Sequence, residues 1–97
     1  MRKETQIIVR AFLNREARSM ARTRTDGEAI YLHNNRIAWR EGNHIYATLA
    51  GWGTVTTRER LNGLCRALGV PRGFYQAKHA QYYGEDEIGT REIIELI

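Results

Sequence analysis

The fold is decided by residues 29–68, which read AIYLHNNRIAWREGNHIYATLAGWGTVTTRERLNGLCRAL. The first half of this stretch holds three short segments in which polar and apolar residues alternate, as in half-buried β-strands. The second half repeats apolar residues at the spacing of one helix face. The stretch therefore predicts three antiparallel strands followed by one amphipathic helix.

The first hairpin is predicted to turn at Asn34 and Asn35, because asparagine tolerates the positive φ of a two-residue turn. That turn places Leu32 opposite Ile37, so large apolar residues meet across the pair. A second turn is predicted over residues 41–43, which places Trp39 opposite Ile45. One sheet face then collects the apolar residues Ile30, Leu32, Ile37, Trp39, Ile45, Ala47 and Leu49.

The opposite face is the candidate functional surface. By alternation it carries Tyr31, His33, Arg36, Ala38, Arg40, His44, Tyr46 and Thr48. Aromatic rings flanked by arginines can stack on bases and pair with phosphates. The alternative is an ordinary solvated face, since antiparallel sheets often expose one side to water. Cover by the N-terminal segment is a further alternative.

A helix is predicted over residues 57–68, lying across the apolar sheet face. Thr56 and Glu59 have the spacing of a capping box, and Gly69 supplies the C-terminal stop. The apolar stripe consists of Leu61, Leu64, Cys65 and Leu68. Three arginines are expected on the outer, solvated surface of this helix: Arg58, Arg60 and Arg66.

The N-terminal segment favours a helix over about residues 4–14, although Ile7, Ile8 and Val9 also suit a buried strand. Asp26 and Gly27 form a strong turn dipeptide. A two-residue turn there pairs Arg24 with Ala29 and Arg22 with Tyr31. Both arginines then join the Tyr/His face, on an edge strand or an ordered arm.

The C-terminal third gives weaker signals. Residues 74–77 and 80–83 are predicted to form a small hairpin that turns at Lys78 and His79. Residues 84–87 are predicted as a loop. The final apolar segment, residues 92–97, is predicted to be held as a terminal strand or a short helix.

Size and composition indicate one domain, residues 1–97. The predicted elements place it in the α+β class, as an antiparallel sheet of three to five strands with one amphipathic helix packed on one face and a possible N-terminal helix. The apolar fraction of 42% and the charged fraction of 27% are typical of a soluble globular protein. No run has the length of a membrane span, and a single cysteine suits a reducing, cytoplasmic compartment. The net charge is +4, and the bases are nearly all arginine, which favours planar phosphate or carboxylate contacts.

The sequence favours no cofactor, metal site or catalytic centre. His33, His44, His79 and Cys65 do not have a recognised ligand spacing. No nucleophile turn is present, and the glycines of residues 51–57 match neither of the common phosphate-binding patterns. Trp52 is expected to pack over the edge of the core.

Several of these segments also resemble a family of small bacteriophage proteins. The family pattern has a Thr-rich stretch, Asp-Gly, Leu-His-Gly-Asn-x-Ile-Ala, then Gly-Trp-x-Thr-x-Thr-Thr-x-x-Arg-Leu-Asn. The chain matches it at residues 23–27, 32–38 and 51–62, with Asn34 where the family has glycine. The resemblance implies a phage accessory protein acting in the host cytoplasm, and it carries no activity with it.

We therefore expect a non-enzymatic nucleic-acid-binding module. The expected binding residues are Tyr31, His33, Arg36, Arg40, His44, Tyr46, Arg22 and Arg24. The alternative is a protein-binding inhibitor of a host or defence complex, resembling anti-CRISPR proteins, because the same surface suits a protein hot spot. No membrane partner or small-molecule cofactor is expected, and a homo-oligomer is compatible with the sequence.

Overall fold

The computed structural model describes residues 2–97, and in this range it has two helices and nine strands. The helices are α1 (Lys3–Leu13) and α2 (Val55–Leu68). The strands are β1 (Arg18–Met20), β2 (Thr23–Thr25), β3 (Ala29–Leu32), β4 (Asn35–Glu41), β5 (His44–Ala47), β6 (Phe74–Ala77), β7 (Ala80–Tyr83), β8 (Asp86–Ile88) and β9 (Ile94–Glu95).

The strands form two antiparallel sheets. The larger has six strands in the order β1-β2-β3-β4-β5-β9, and the smaller has three in the order β6-β7-β8. The α+β class and the N-terminal helix are confirmed. The prediction of one sheet with three to five strands underestimated the number of strands and of sheets. The C-terminal third forms a separate three-stranded sheet and also contributes β9 to the larger sheet.

The β3–β4 hairpin turns one residue earlier than predicted. His33 and Asn34, with φ of 50° and 67°, form the turn, so Leu32 pairs with Asn35 rather than Ile37. The pairing then shifts between Tyr31 and Ile30, which leaves Ile37 as the extra residue of a β-bulge. The bulge allows two consecutive apolar residues, Ile37 and Ala38, to be fully buried.

The bulge also reverses the alternation in the second half of β4. The next turn contains only Gly42 and Asn43, and Trp39 therefore pairs with Tyr46 while Arg40 pairs with Ile45. The predicted pairing of Trp39 with Ile45 is wrong. Trp39 and Arg40 have exchanged faces relative to the sequence prediction.

The loop before β3 is longer than a two-residue turn. Asp26 accepts hydrogen bonds from the backbone amides of Glu28 and Ala29, at 2.8 and 2.9 Å. Consequently Arg24, rather than Arg22, lies opposite Tyr31. The strand that carries Arg24 is β2, which pairs with both β1 and β3, so its prediction as an edge strand is wrong. The edge is taken by β1.

Both helices pack on one side of the larger sheet and enclose the core. Ile8 and Phe12 of α1 are buried with Leu61 and Leu64 of α2. The smaller sheet adds Phe74 to the same cluster. No helix in residues 2–97 is long and apolar enough to cross a membrane.

Helix α2 begins two residues earlier than predicted. Thr54, not Thr56, is the N-cap, and its side chain accepts a hydrogen bond from the Thr57 amide at 3.2 Å. The predicted capping box is absent because Glu59 turns toward α1, where it accepts from the Thr5 hydroxyl. At the other end, Gly69 adopts the left-handed conformation with φ of 74°, as predicted.

Arg60 is not on the solvated surface of α2 but is 6% exposed, between the helices and β2. Its guanidinium donates to Thr5, Thr23, Glu59 and Glu4. Arg66 is exposed as predicted.

The C-terminal hairpin is confirmed, with Lys78 and His79 at its turn. The predicted loop over residues 84–87 is partly wrong, because only Gly84 and Glu85 form a turn before β8 begins. In the final segment, Ile94 and Glu95 pair with β5, so the strand alternative holds.

Candidate nucleic-acid interface

The side of the larger sheet that faces away from both helices forms a continuous surface, here called the open face. It includes Arg24, Tyr31, Arg36, Trp39, His44 and Tyr46, with the carboxylates of Glu41 and Glu95 near Tyr46. The strand register places these residues on one side, with Tyr31 between Arg24 and Arg36 in one cross-strand row. A second row joins Trp39 to Tyr46.

Arginines lie directly against the rings of the open face. The Cζ of Arg24 is 4.1 Å from the ring centroid of Tyr31, and the Cζ of Arg36 is 4.0 Å from that of Trp39. The Trp39 and Tyr46 rings are stacked, with centroids 6.0 Å apart. Trp39 is only 6% exposed because Arg36 and Tyr46 cover it, whereas Tyr31 and Tyr46 remain half-buried.

The charge of the open face is uneven. In the described part of the chain, no carboxylate lies within 4.0 Å of the exposed guanidinium groups of Arg24 and Arg36. Near the β9 edge, the His44 imidazole lies 3.6 Å from the Glu95 carboxylate. The face therefore has a basic half at β2–β4 and a mixed half at β5–β9.

Tyr46 lies at the border between these halves. Partial burial, and then the nearby carboxylates of Glu95 and Glu41, raise the pKa of its hydroxyl above the usual value of 10.0. The hydroxyl is therefore protonated at neutral pH and can donate a hydrogen bond.

A family model described as Kyanoviridae Gp96 protein matches residues 1–95. The chain belongs to this family of phage proteins. The match spans nearly the whole chain, so it includes both helices and both sheets. Comparisons with curated proteins and with solved structures gave no significant match. Membership indicates a phage accessory protein and does not assign an activity.

In this member of the family, five of the eight predicted binding residues share the open face: Arg24, Tyr31, Arg36, His44 and Tyr46. His33 lies in the β3–β4 turn, and Arg22 lies in the β1–β2 turn beside it. The backbone amide of His33 donates to the carbonyl of Arg22 at 2.9 Å. These two residues thus border the basic half of the face.

Arg40 does not belong to the surface. Its side chain is 8% exposed and lies under α1, where the guanidinium donates to the carbonyls of Gly27 and Phe12 at 2.6 and 2.9 Å. Its Cζ is 4.2 Å from the Phe12 ring. Ala38 is also buried on the helix side of the sheet.

Trp39 takes the place of Arg40 on the open face, whereas alternation predicted it on the helix side. A usable signal was present, because three consecutive apolar residues, Ile37, Ala38 and Trp39, interrupt the alternation of β4. In a strand with one solvated face, such a run indicates a bulge that reverses the faces, although a strand buried on both faces can carry the same run.

Cys65 lies in the core and away from the open face. It is buried, and burial raises the pKa of its thiol to about 11. The thiol is thus protonated at neutral pH, which makes it a poor nucleophile. Within residues 2–97, no three His, Cys, Asp or Glu side chains come together as a metal site.

Proposed function

We propose that this phage protein binds nucleic acid through the open face of its six-stranded sheet. The observation that carries the proposal is the row of Arg24, Tyr31 and Arg36. In this row two exposed guanidinium groups without carboxylate partners flank the half-buried ring of Tyr31. Guanidinium groups can bind phosphates in a bidentate manner, and aromatic rings can stack on bases.

The position of the helices supports the same proposal. The guanidinium of Arg40 is covered by Phe12 of α1, and Thr23 of β2 bonds to Arg60 of α2. Both contacts lie on the helix side of the sheet. The N-terminal segment therefore leaves the open face accessible to a ligand.

The proposal can be tested by fluorescence anisotropy with labelled DNA and RNA oligonucleotides at several salt concentrations. Three phosphate contacts, from Arg22, Arg24 and Arg36, predict a slope of log K against log salt of about −2 for a single strand. Affinity should then fall about 20-fold between about 50 and about 200 mM salt. Arg36→Ala should weaken binding and reduce the magnitude of the slope by about 0.7.

Arg66→Ala is the matched control, because it removes the same charge from an exposed site on α2. It should leave the slope unchanged. If folded protein binds neither DNA nor RNA, or binds with no salt dependence, the proposal is refuted.

A second function, inhibition of a host or defence complex by protein binding, is favoured by the mixed half of the face. Glu41 and Glu95 lie beside Tyr46 there and would repel a polyanion. Trp, Tyr and Arg are also the residues enriched in protein hot spots. A purified partner complex that survives nuclease treatment and is disrupted by Tyr46→Ala would support this function instead.

A further inference from the structure

Trp52 stands out because its backbone is held firmly while its side chain is 56% exposed. The Trp52 amide donates to the Leu49 carbonyl at 2.9 Å, and the preceding amide, of Gly51, donates to Thr90 at 2.8 Å. On the other side, Arg58 donates to the Gly53 carbonyl at 3.0 Å. The expectation that Trp52 packs over the core edge is therefore wrong. The fold presents this indole to solvent from an anchored loop.

The indole lines a cleft of about 470 Å³ between the start of α2 and the β3–β4 hairpin. This volume lies within the usual range for small-molecule sites. The buried side chains of Leu32 and Ile37 supply apolar walls. His33, Asn35 and Thr56 also line the cleft and bring hydrogen-bonding groups to it. The cleft therefore suits a flat aromatic ring with hydrogen-bonding groups at its edge, because it combines an aromatic surface with apolar walls and several polar groups.

The cleft lies on the helix side of the β3–β4 hairpin, and the other side of this hairpin belongs to the basic half of the open face. His33 and Asn35 line the cleft, and Arg36, the next residue along β4, carries a guanidinium of the open face. Arg22 lies against the same hairpin through its carbonyl contact with the His33 amide. A ligand strand that contacts both arginines could therefore pass around the tip of the β3–β4 hairpin and reach the cleft.

We infer that the Trp52 cleft binds one unpaired nucleobase of a strand whose phosphates contact Arg22 and Arg36. This inference rests on the proposed function and narrows its ligand to single-stranded nucleic acid. The base stacks on the Trp52 indole, and its edge bonds to the polar groups of the cleft. A base held in a duplex cannot enter the cleft without leaving its stack.

The test uses the full chain and a labelled single strand of about 12 nucleotides, within the usual site size of single-strand binders. Trp52→Ala should weaken binding about 10-fold, as expected for loss of one stacked base. The salt slope should stay unchanged, since no charge is removed. Trp52→Phe should restore most of the affinity. Val55→Ala, another exposed apolar residue but outside the cleft, is the matched control.

Abasic substitution of the oligonucleotide identifies the base. One abasic position should cost wild-type protein about as much as Trp52→Ala. The same position should cost the Trp52→Ala variant almost nothing further, because the two changes remove one interaction. If Trp52→Ala and the abasic substitution weaken binding additively at every position of the oligonucleotide, the inference is overturned.

The outcomes also separate this inference from the proposed function. If Arg36→Ala weakens binding while Trp52→Ala binds as wild type, the base site is wrong and the open face stands. If Trp52→Ala weakens duplex as much as single-strand binding, the narrowing to unpaired bases is wrong. Absence of any oligonucleotide binding by folded protein overturns both.

Discussion

Arg60→Ala should destabilise the fold strongly, because Arg60 is buried and makes four side-chain hydrogen bonds. The Arg60 Nε donates to Thr23 at 2.9 Å, and its Nη atoms donate to Thr5 at 2.9 Å and Glu4 at 3.0 Å. Nη1 also donates to Glu59 at 2.6 Å. One side chain thus joins α1, α2 and β2 from a buried position.

Truncation at Arg60 leaves the partly buried Glu59 carboxylate without its counter-charge. It also removes the donor to two fully buried threonine hydroxyls, Thr5 and Thr23. Breaking a buried pair by removing one partner typically costs about 3–5 kcal/mol. That is a large share of the roughly 5–15 kcal/mol that holds a domain folded.

The assay is urea unfolding followed by circular dichroism. A loss of about 3 kcal/mol at an m value of about 1.5 kcal/mol/M lowers the midpoint by about 2 M. Arg66→Ala, on the exposed side of α2, should change the free energy of unfolding by less than about 0.5 kcal/mol. Glu4→Gln should cost less than about 1 kcal/mol, because the Glu4 side chain is 43% exposed and water screens its ion pair with Arg60.

A loss below about 1 kcal/mol in Arg60→Ala would refute this reasoning. It would mean that the threonine hydroxyls and Glu59 find other partners or water once the guanidinium is gone.

Three further predictions concern acid, backbone strain and thiol reactivity. Burial raises the pKa of Glu59, but hydrogen bonds from Thr5, Arg2 and Arg60 outweigh it and hold the folded pKa below the usual 4.5. The ionised Glu59 carboxylate therefore makes its full contribution to the free energy of unfolding above about pH 4.5, and this contribution is lost as the pH falls below that value. Glu59→Gln should flatten this part of a curve of stability against pH. Gly27→Ala should cost clearly more than Gly42→Ala in thermal unfolding. Both glycines have positive φ, but a Cβ on Gly27 would lie 2.7 Å from the Arg15 backbone, whereas Gly42 is open. Native Cys65 should resist a thiol reagent at about pH 8 and react fully in denaturant; rapid native labelling would contradict its burial and its raised pKa.

The local elements could be predicted from the sequence because their causes are local. Helix α1 and the end of α2 at Gly69 follow from apolar spacing and a left-handed stop. The β6–β7 hairpin follows from two apolar segments around a short turn. Tyr31 and Arg36 could also be assigned to one face, because both lie between the hairpin turn and the bulge, where the alternation of faces is undisturbed.

Tertiary structure decided the exact register of the sheet and which arginines are buried. Alternation has a period of two, so one inserted residue, Ile37, exchanges Trp39 and Arg40 between faces. The bulge turns Ile37 and Ala38 inward together, where both are buried in the core beneath the helices. Likewise, Arg60 appears solvated on a helical wheel, and it is buried because Thr5 and Thr23 arrive from distant parts of the chain.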